Sequence, residues 1–182
     1  MAPGSARYAD PVTDTDYAAY IAGLPRVLAG AAMLFRDGEG RVLAVEPNYR
    51  EGWALPGGTI ESDDGETPRQ GARRETLEEI GLDIEPGRLL AVDWVPGVTR
   101  LPGVTRPPIA AYLYDGGVLT PEQLAAVRVQ EAELLSWRLL AREELTTYLL
   151  GSLAGRVLAA LDAVESGAGA GTVELENGRR VG

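Results

Sequence analysis

The chain has 182 residues, 45% of them hydrophobic and 24% charged, with a formal net charge of −10, the size and balance of one globular domain. It contains no cysteine and no histidine, which excludes disulfide frameworks, zinc fingers, thiol nucleophiles and Ser-His-Asp triads. With neither residue, any metal must be held by oxygen (Mg²⁺, Mn²⁺ or Ca²⁺); all 17 basic residues are arginine, and so acidic a chain is not expected to bind a nucleic-acid polymer.

No apolar run reaches the roughly 20 residues that span a bilayer, and the N-terminus lacks the basic-then-apolar pattern of a signal peptide. No membrane partner is expected, and a cytoplasmic location is. Residues 1–26 read as a peripheral segment, with Asp14 or Asp16 as N-cap of a short helix over residues 17–21. Residues 27–166 read as the main domain. Within it, Leu28–Phe35 is a small, apolar run suited to a buried strand. Asp37-Gly-Glu-Gly40 is a turn, and Arg41–Val45 returns as the second arm of a hairpin. Trp53–Leu55 is read as a short strand.

Thr67 as N-cap and Pro68 at the first position open a helix that runs to Ile80, where Gly81 ends it. Strands are expected over Leu89–Val95, Ile109–Tyr114 and Leu134–Leu139, and helices over Thr120–Val127, Arg142–Leu149 and Leu153–Val164. The Gly- and Ala-rich tail, 167–182, is expected to be disordered. Between two of the strands Pro96-Gly-Val-Thr-Arg100 recurs as Pro102-Gly-Val-Thr-Arg106. The repeat is either a lengthened loop or a wall of a substrate pocket, with Arg100 or Arg106 reaching a phosphate or stacking on a base.

Chemistry concentrates in LPGGTIESDDGETPRQGARRETLEEIGL, residues 55–82. Glu75, Glu78 and Glu79 are spaced i, i+3, i+4 and therefore share one face of the helix. Like charges so placed repel by about 0.2–0.5 kcal/mol per pair, and a divalent cation would relieve them. Arg74 and Glu78 form an i, i+4 pair, so a solvated salt-bridge face is the competing reading.

The order of residues around that cluster resembles the Nudix box: Gly, five residues, Glu, seven residues, then Arg-Glu-aliphatic-x-Glu-Glu-x-Gly-aliphatic. Arg74-Glu75-Thr76-Leu77-Glu78-Glu79-Ile80-Gly81-Leu82 matches the second half, and Glu66 precedes Arg74 by the required spacing. Gly52-Trp-Ala-Leu-Pro-Gly-Gly58 is similar to the usual lead-in. Two departures stand out. Seven residues rather than five separate Gly58 from Glu66, which we read as a two-residue insertion in Ser62-Asp63-Asp64. Thr76 takes an aliphatic position.

The resemblance implies an α/β/α sandwich with a mixed β-sheet and an enzyme that cleaves a phosphoanhydride bond, with Mg²⁺ or Mn²⁺, in a nucleoside diphosphate linked to another group. Nucleoside triphosphates, ADP-ribose and nucleotide sugars are the candidate substrates. It implies Glu75, Glu78, Glu79 and the Gly58 carbonyl as metal ligands. Glu75 or a loop glutamate would orient the attacking water, and Arg74 would pair with Glu66 or Glu75. Glu131 and Glu133 both precede Trp137; of the two, Glu131 is our choice for base or extra ligand. Trp53 reads as core, whereas Tyr49 and Arg50, in the loop before the glycines, are candidates for touching substrate. A nucleotide-sensing Nudix-like module without turnover is the alternative. The related isomerase chemistry needs a cysteine, which is absent. A homodimer is compatible with the sequence.

Overall fold

The apolar run at Leu28 becomes an interior strand of the main sheet. In the computed structural model, which describes residues 13–101, 103–167 and 169–181, helix α1 (Asp14–Ala22) leads into β1 (Leu28–Arg36). There follow β2 (Val42–Pro47), β3 (Gly57–Thr59), α2 (Pro68–Ile80), β4 (Leu89–Val95), β5 (Val98–Leu101), β6 (Val104–Arg106) and β7 (Ile109–Val118). The chain finishes with α3 (Pro121–Ala126), β8 (Leu134–Leu140), α4 (Leu145–Tyr148), α5 (Ser152–Glu165), β9 (Val173–Glu176) and β10 (Arg179–Arg180).

The main sheet has the order β10-β9-β4-β7-β1-β2-β8, with β3 also paired to β1. It is mixed: β1 runs parallel to β7 and β4 parallel to β9, while β4 and β7, like β2 and β8, are antiparallel. Both faces of β1 are covered, which is why its sequence is a continuous apolar run rather than an alternation. Met33 and Phe35 pack on one side with Ile80 and Ala72 of α2. Leu34 packs on the other with Val157 and Leu161 of α5. Helices on both faces of a mixed sheet make the expected α/β/α sandwich. Among the described residues no helix is long and apolar enough to cross a membrane.

Local signals placed α2 well. Thr67 accepts from the Gln70 amide while the Gln70 side chain accepts from the Thr67 amide, Pro68 occupies the first turn, and Gly81 closes the helix, a reciprocal cap that satisfies two otherwise orphaned donors. Thr76 is fully buried, and its hydroxyl donates to the Ala72 carbonyl at 2.8 Å. The polar replacement is thus hydrogen-bonded inside its own helix.

Several expectations change. The cap of α1 is Thr13, with Asp16 completing the capping box. Residues 1–12 of the expected peripheral segment lie outside the described residues, and α1 has no buried side chain. Trp53 and Ala54 make only isolated bridges, to Leu149 and Val45; the extended segment is Gly57–Thr59. Residues 142–149 split into a 3₁₀ turn and α4. The repeat folds as a separate β5–β6 hairpin.

The largest correction is the tail. Instead of being disordered, β9 pairs in parallel with β4 and buries Leu175, and β10 folds back on β9. The edge of β4 left open by β7 provides the partner. Asn177 (φ 51) and Gly178 (φ 77) form the turn, and Asn-Gly between alternating residues is a strong local hairpin signal.

Candidate active site

Helix α2 packs on β1 and β3 and turns its acidic face toward the glycine loop. A cavity of about 370 Å³ lies there, lined by Tyr49, Gly57, Gly58, Thr59, Glu61, Arg74, Glu75, Glu78, Glu79, Gln130 and Glu133. Gly57 (φ 149) presses against β1 so closely that a Cβ would overlap the Ala31 carbonyl and the Ala32 backbone. Only glycine fits there. A Cβ on Gly58 would sit 2.5 Å from Glu75 Oε1, so the loop backbone lies directly on the helix carboxylates.

The three glutamates meet different surroundings. Glu79 is nearly buried and accepts from the Gly57 amide at 2.8 Å. Burial pushes its carboxyl up to about 7, against the pull of that amide and with added repulsion from Glu75 and Glu133. Burial also raises Glu75, opposed by the hydrogen bond and charge of Arg74. Glu78 is half-exposed.

Arg74 ties the cluster together. Its Nε and Nη2 donate to the two oxygens of Glu66 at 2.8 and 3.0 Å. Nη1 reaches Glu75 and Glu78, both at 3.0 Å, and Nη2 also holds the Thr59 carbonyl at 3.0 Å. The Arg74 contact keeps Glu66 below the usual carboxylate range. The two extra loop residues fall within a three-residue 3₁₀ turn, Ser62–Asp64, and Glu66 still returns to Arg74, helped by the Glu61 amide, which donates to it at 2.8 Å. The insertion is absorbed locally.

Among the described residues no three carboxylates form a ready-made metal cage. Glu75 and Glu78 lean on Arg74, and Glu79 leans on the Gly57 amide. The donor chemistry nevertheless fits a hard divalent cation. Every donor is oxygen, the Gly58 backbone lies against Glu75, and two of the carboxylates, Glu75 and Glu79, are raised by burial.

The glutamate that the β8 approach delivers is Glu133, not Glu131. The Gln130 amide donates to the Glu79 backbone carbonyl at 2.9 Å, and the Asn48 amide donates to the Glu133 carbonyl at 2.8 Å. This double anchor sets Glu133 on the cavity wall and leaves Glu131 exposed outside it. Both contacts are long-range backbone bonds, which the local sequence does not encode.

Residues 26–161 match the family model of the NUDIX domain. The chain belongs to the Nudix family. A MutT-like protein of Streptomyces ambofaciens is 40% identical over 62 residues, 34% of this chain and 38% of its own length. The chain thus spans well under half the length of that curated relative. Among solved structures, the MutT protein of Methanosarcina mazei Go1 is similar with a TM-score of 0.60 and 21% identity, covering 78% of this chain and 96% of that one. A NUDIX hydrolase of Nitrosomonas europaea gives 0.60 and 23%, covering 82% and 77%. At such identities the two structures establish the fold.

A second recess of about 340 Å³ adjoins the acidic cavity of this Nudix domain and shares Gly57, Gly58 and Thr59 with it. Its walls are mostly apolar, among them Leu28, Leu55, Val95, Ile109 and Leu153, with Arg50 and Arg156 as its cations. Of the residues expected from sequence, Gly58, Arg74, Glu75, Glu78, Glu79 and Tyr49 line the acidic cavity, Glu66 braces Arg74, and Arg50 lines the recess. Arg106 belongs to neither. Its guanidinium donates at 2.9 Å to the carbonyls of Pro107 and Pro96, closing the base of its own hairpin. The Arg100 side chain lies outside the described residues. Trp53 is partly buried, packed on the core and edge-on to Tyr148 at 6.2 Å, in keeping with a core role. Glu133 is the one of the two sequence candidates that lines the cavity, and Gln130 and Arg156 are among the lining residues that the sequence does not single out.

Proposed function

We propose that the chain is a divalent-metal-dependent pyrophosphohydrolase acting on a nucleoside diphosphate linked to another group. One observation carries this reading: an acidic, glycine-floored cavity adjoins an apolar recess with two arginines, the two sharing Gly57–Thr59 in their linings. That pairing suits a molecule with a diphosphate at one end and a nucleoside at the other.

Mg²⁺ or Mn²⁺ would be held by Glu75, Glu78, Glu79 and the Gly58 carbonyl. When bound, the ion supplies charge neutralisation for the diphosphate and a lowered pKa for its water. Glu133 or Glu75 accepts the proton of the attacking water, since both stand on the cavity wall. Arg74, braced by Glu66, keeps the glycine loop and the helix in register and can follow the carboxylates as their charge is taken up. Arg50 lies where the phosphate end passes into the recess and favours an anion there.

The test is phosphate- and pyrophosphate-coupled turnover over nucleoside triphosphates, ADP-ribose and nucleotide sugars, each with Mg²⁺, Mn²⁺ or EDTA, alongside Glu79→Gln. Metal-dependent turnover that the variant loses supports the proposal. Nucleotide binding without turnover of any member would favour a nucleotide-sensing module instead.

A further inference from the structure

The matched family model ends at residue 161, yet the chain continues into β9 and β10, which join the main sheet. The joint is built closely. A Cβ on Gly155 of α5 would overlap the Gly178 carbonyl, and one on Gly178 would overlap the Ser152 carbonyl. The turn therefore seats directly on the first turns of α5, the segment whose Ser152 and Leu153 line the apolar recess.

Beneath that joint lies Asp93, fully buried on β4. The Gly178 amide donates to both of its oxygens at 3.1 Å. Arg156 donates to Asp93 Oδ2 through Nε at 3.0 Å and Nη2 at 2.8 Å. Asp93 pairs across the sheet with Ala111, itself in the recess wall, and Val95, two residues along β4, is in that wall as well. Arg156 Nη1 has no hydrogen-bond partner among the described residues and is not a buried polar atom. One edge of the guanidinium is locked on Asp93, and the other is open at the recess.

We propose that the C-terminal hairpin is a working part of the cleft: through Asp93 it holds Arg156 at the apolar recess, where the open guanidinium edge receives the acceptor edge of a nucleobase. A base is favoured over a phosphate because Asp93 already balances the charge of Arg156, while the N–H donors of Nη1 remain. Carbonyl oxygens and ring nitrogens of a base need donors rather than net charge, and apolar walls suit its faces. The inference rests on reading the cleft as a nucleotide site, and makes Arg156 a specificity residue with Asp93 and Gly178 as positioning residues.

The test is binding in EDTA, without turnover, so that it stays separate from the hydrolase reading. AMP, GMP, CMP and UMP are titrated against ribose 5-phosphate by calorimetry. At least one mononucleotide is expected to bind about tenfold more tightly than ribose 5-phosphate, the worth of a hydrogen bond to a charged group. Arg156→Met should erase that preference, read in the folded variant as the ratio of mononucleotide to ribose 5-phosphate affinity. Gly178→Val, which unseats the hairpin, should do the same with Arg156 intact. If that variant does not fold, Asp93→Asn carries the arm, since asparagine keeps an acceptor for Gly178 but loses its charge on Arg156. No base preference in the wild type, or its survival in Arg156→Met, in Gly178→Val or, where that does not fold, in Asp93→Asn, would overturn the proposal. Base binding in a protein that hydrolyses nothing would sink the hydrolase reading and leave this one standing.

Discussion

Two arginines organise this molecule, and they do so in opposite ways. Arg74 is about a quarter exposed and spreads its donors over Glu66, Glu75, Glu78 and the Thr59 carbonyl. Arg156 gives both of its engaged nitrogens to one carboxylate, Asp93, which is fully buried. The first clamp shares one positive charge among several negative ones, so it leaves room for another cation. The second is balanced one to one, with Asp93 fully buried and Arg156 open only along its free edge at the recess, so removing either partner would strand a charge. The first gathers several carboxylates, and the second fixes one guanidinium in place.

That contrast can be broken at its strongest point by Asp93→Ala. Leaving Arg156 without its buried partner should cost about 3–5 kcal/mol of stability, measured by urea unfolding. A loss under about 1 kcal/mol would put the second clamp in the same class as an exposed ion pair. Glu79→Gln probes the other side. Turnover should fall by more than about a hundredfold, beyond what removing a residue that only supports metal ligands costs, while the melting temperature of the metal-free protein at pH 8 rises. Activity and stability falling together would instead mark Glu79 as a structural residue.

The same carboxyl sets a pH dependence. Its folded pKa, about 7, lies above the ordinary value of 4.5, so the folded state binds the extra proton. The stability it contributes is full below about 4.5 and is lost as pH rises through 7; Glu75 is shifted in the same direction. Glu66, held low by Arg74, acts in reverse, and its contribution disappears only as pH falls below 4.5. Metal-free protein should therefore melt higher at pH 5.5 than at pH 8, and Glu79→Gln should flatten that difference; an equal slope in the variant would assign the effect elsewhere. The smallest effect belongs to deletion of Asp63 and Asp64. The turn they occupy has no buried side chain, so stability should move by about 0.5 kcal/mol or less, with Glu66 still on Arg74 and turnover retained.

How far each clamp could be read from the sequence follows from the same contrast. Glu66, Arg74, Glu75 and Glu78 lie within thirteen consecutive positions, and helix periodicity alone puts three of them together. Asp93, Arg156 and Gly178 are separated by 63 and 85 positions, and no local spacing can pair them. The choice between Glu131 and Glu133 was not legible for a related reason, since backbone bonds from Asn48 and to Glu79 decide which of the two enters the cavity. The tail is different. Its composition suggested disorder, but Asn177-Gly178 carried a hairpin signal that outweighed the glycines before it. The helices and most strands were legible because caps and apolar runs mark them locally, whereas the pairing of β9 with β4 depends on an edge that exists only after the sheet has formed.

The terminal hairpin also has a bearing on solubility. With β9 in place, the outermost strand on that side of the sheet is a two-residue segment made of Arg179 and Arg180, both exposed. A short, charged border is a poor template for another chain. A shorter protein ending at residue 161 would present β4 in its place, an apolar strand with unsatisfied amides and carbonyls along its free side. Such a truncation should show concentration-dependent light scattering that the 182-residue chain does not, because β9 and β10 blunt an edge that would otherwise recruit copies of the same chain.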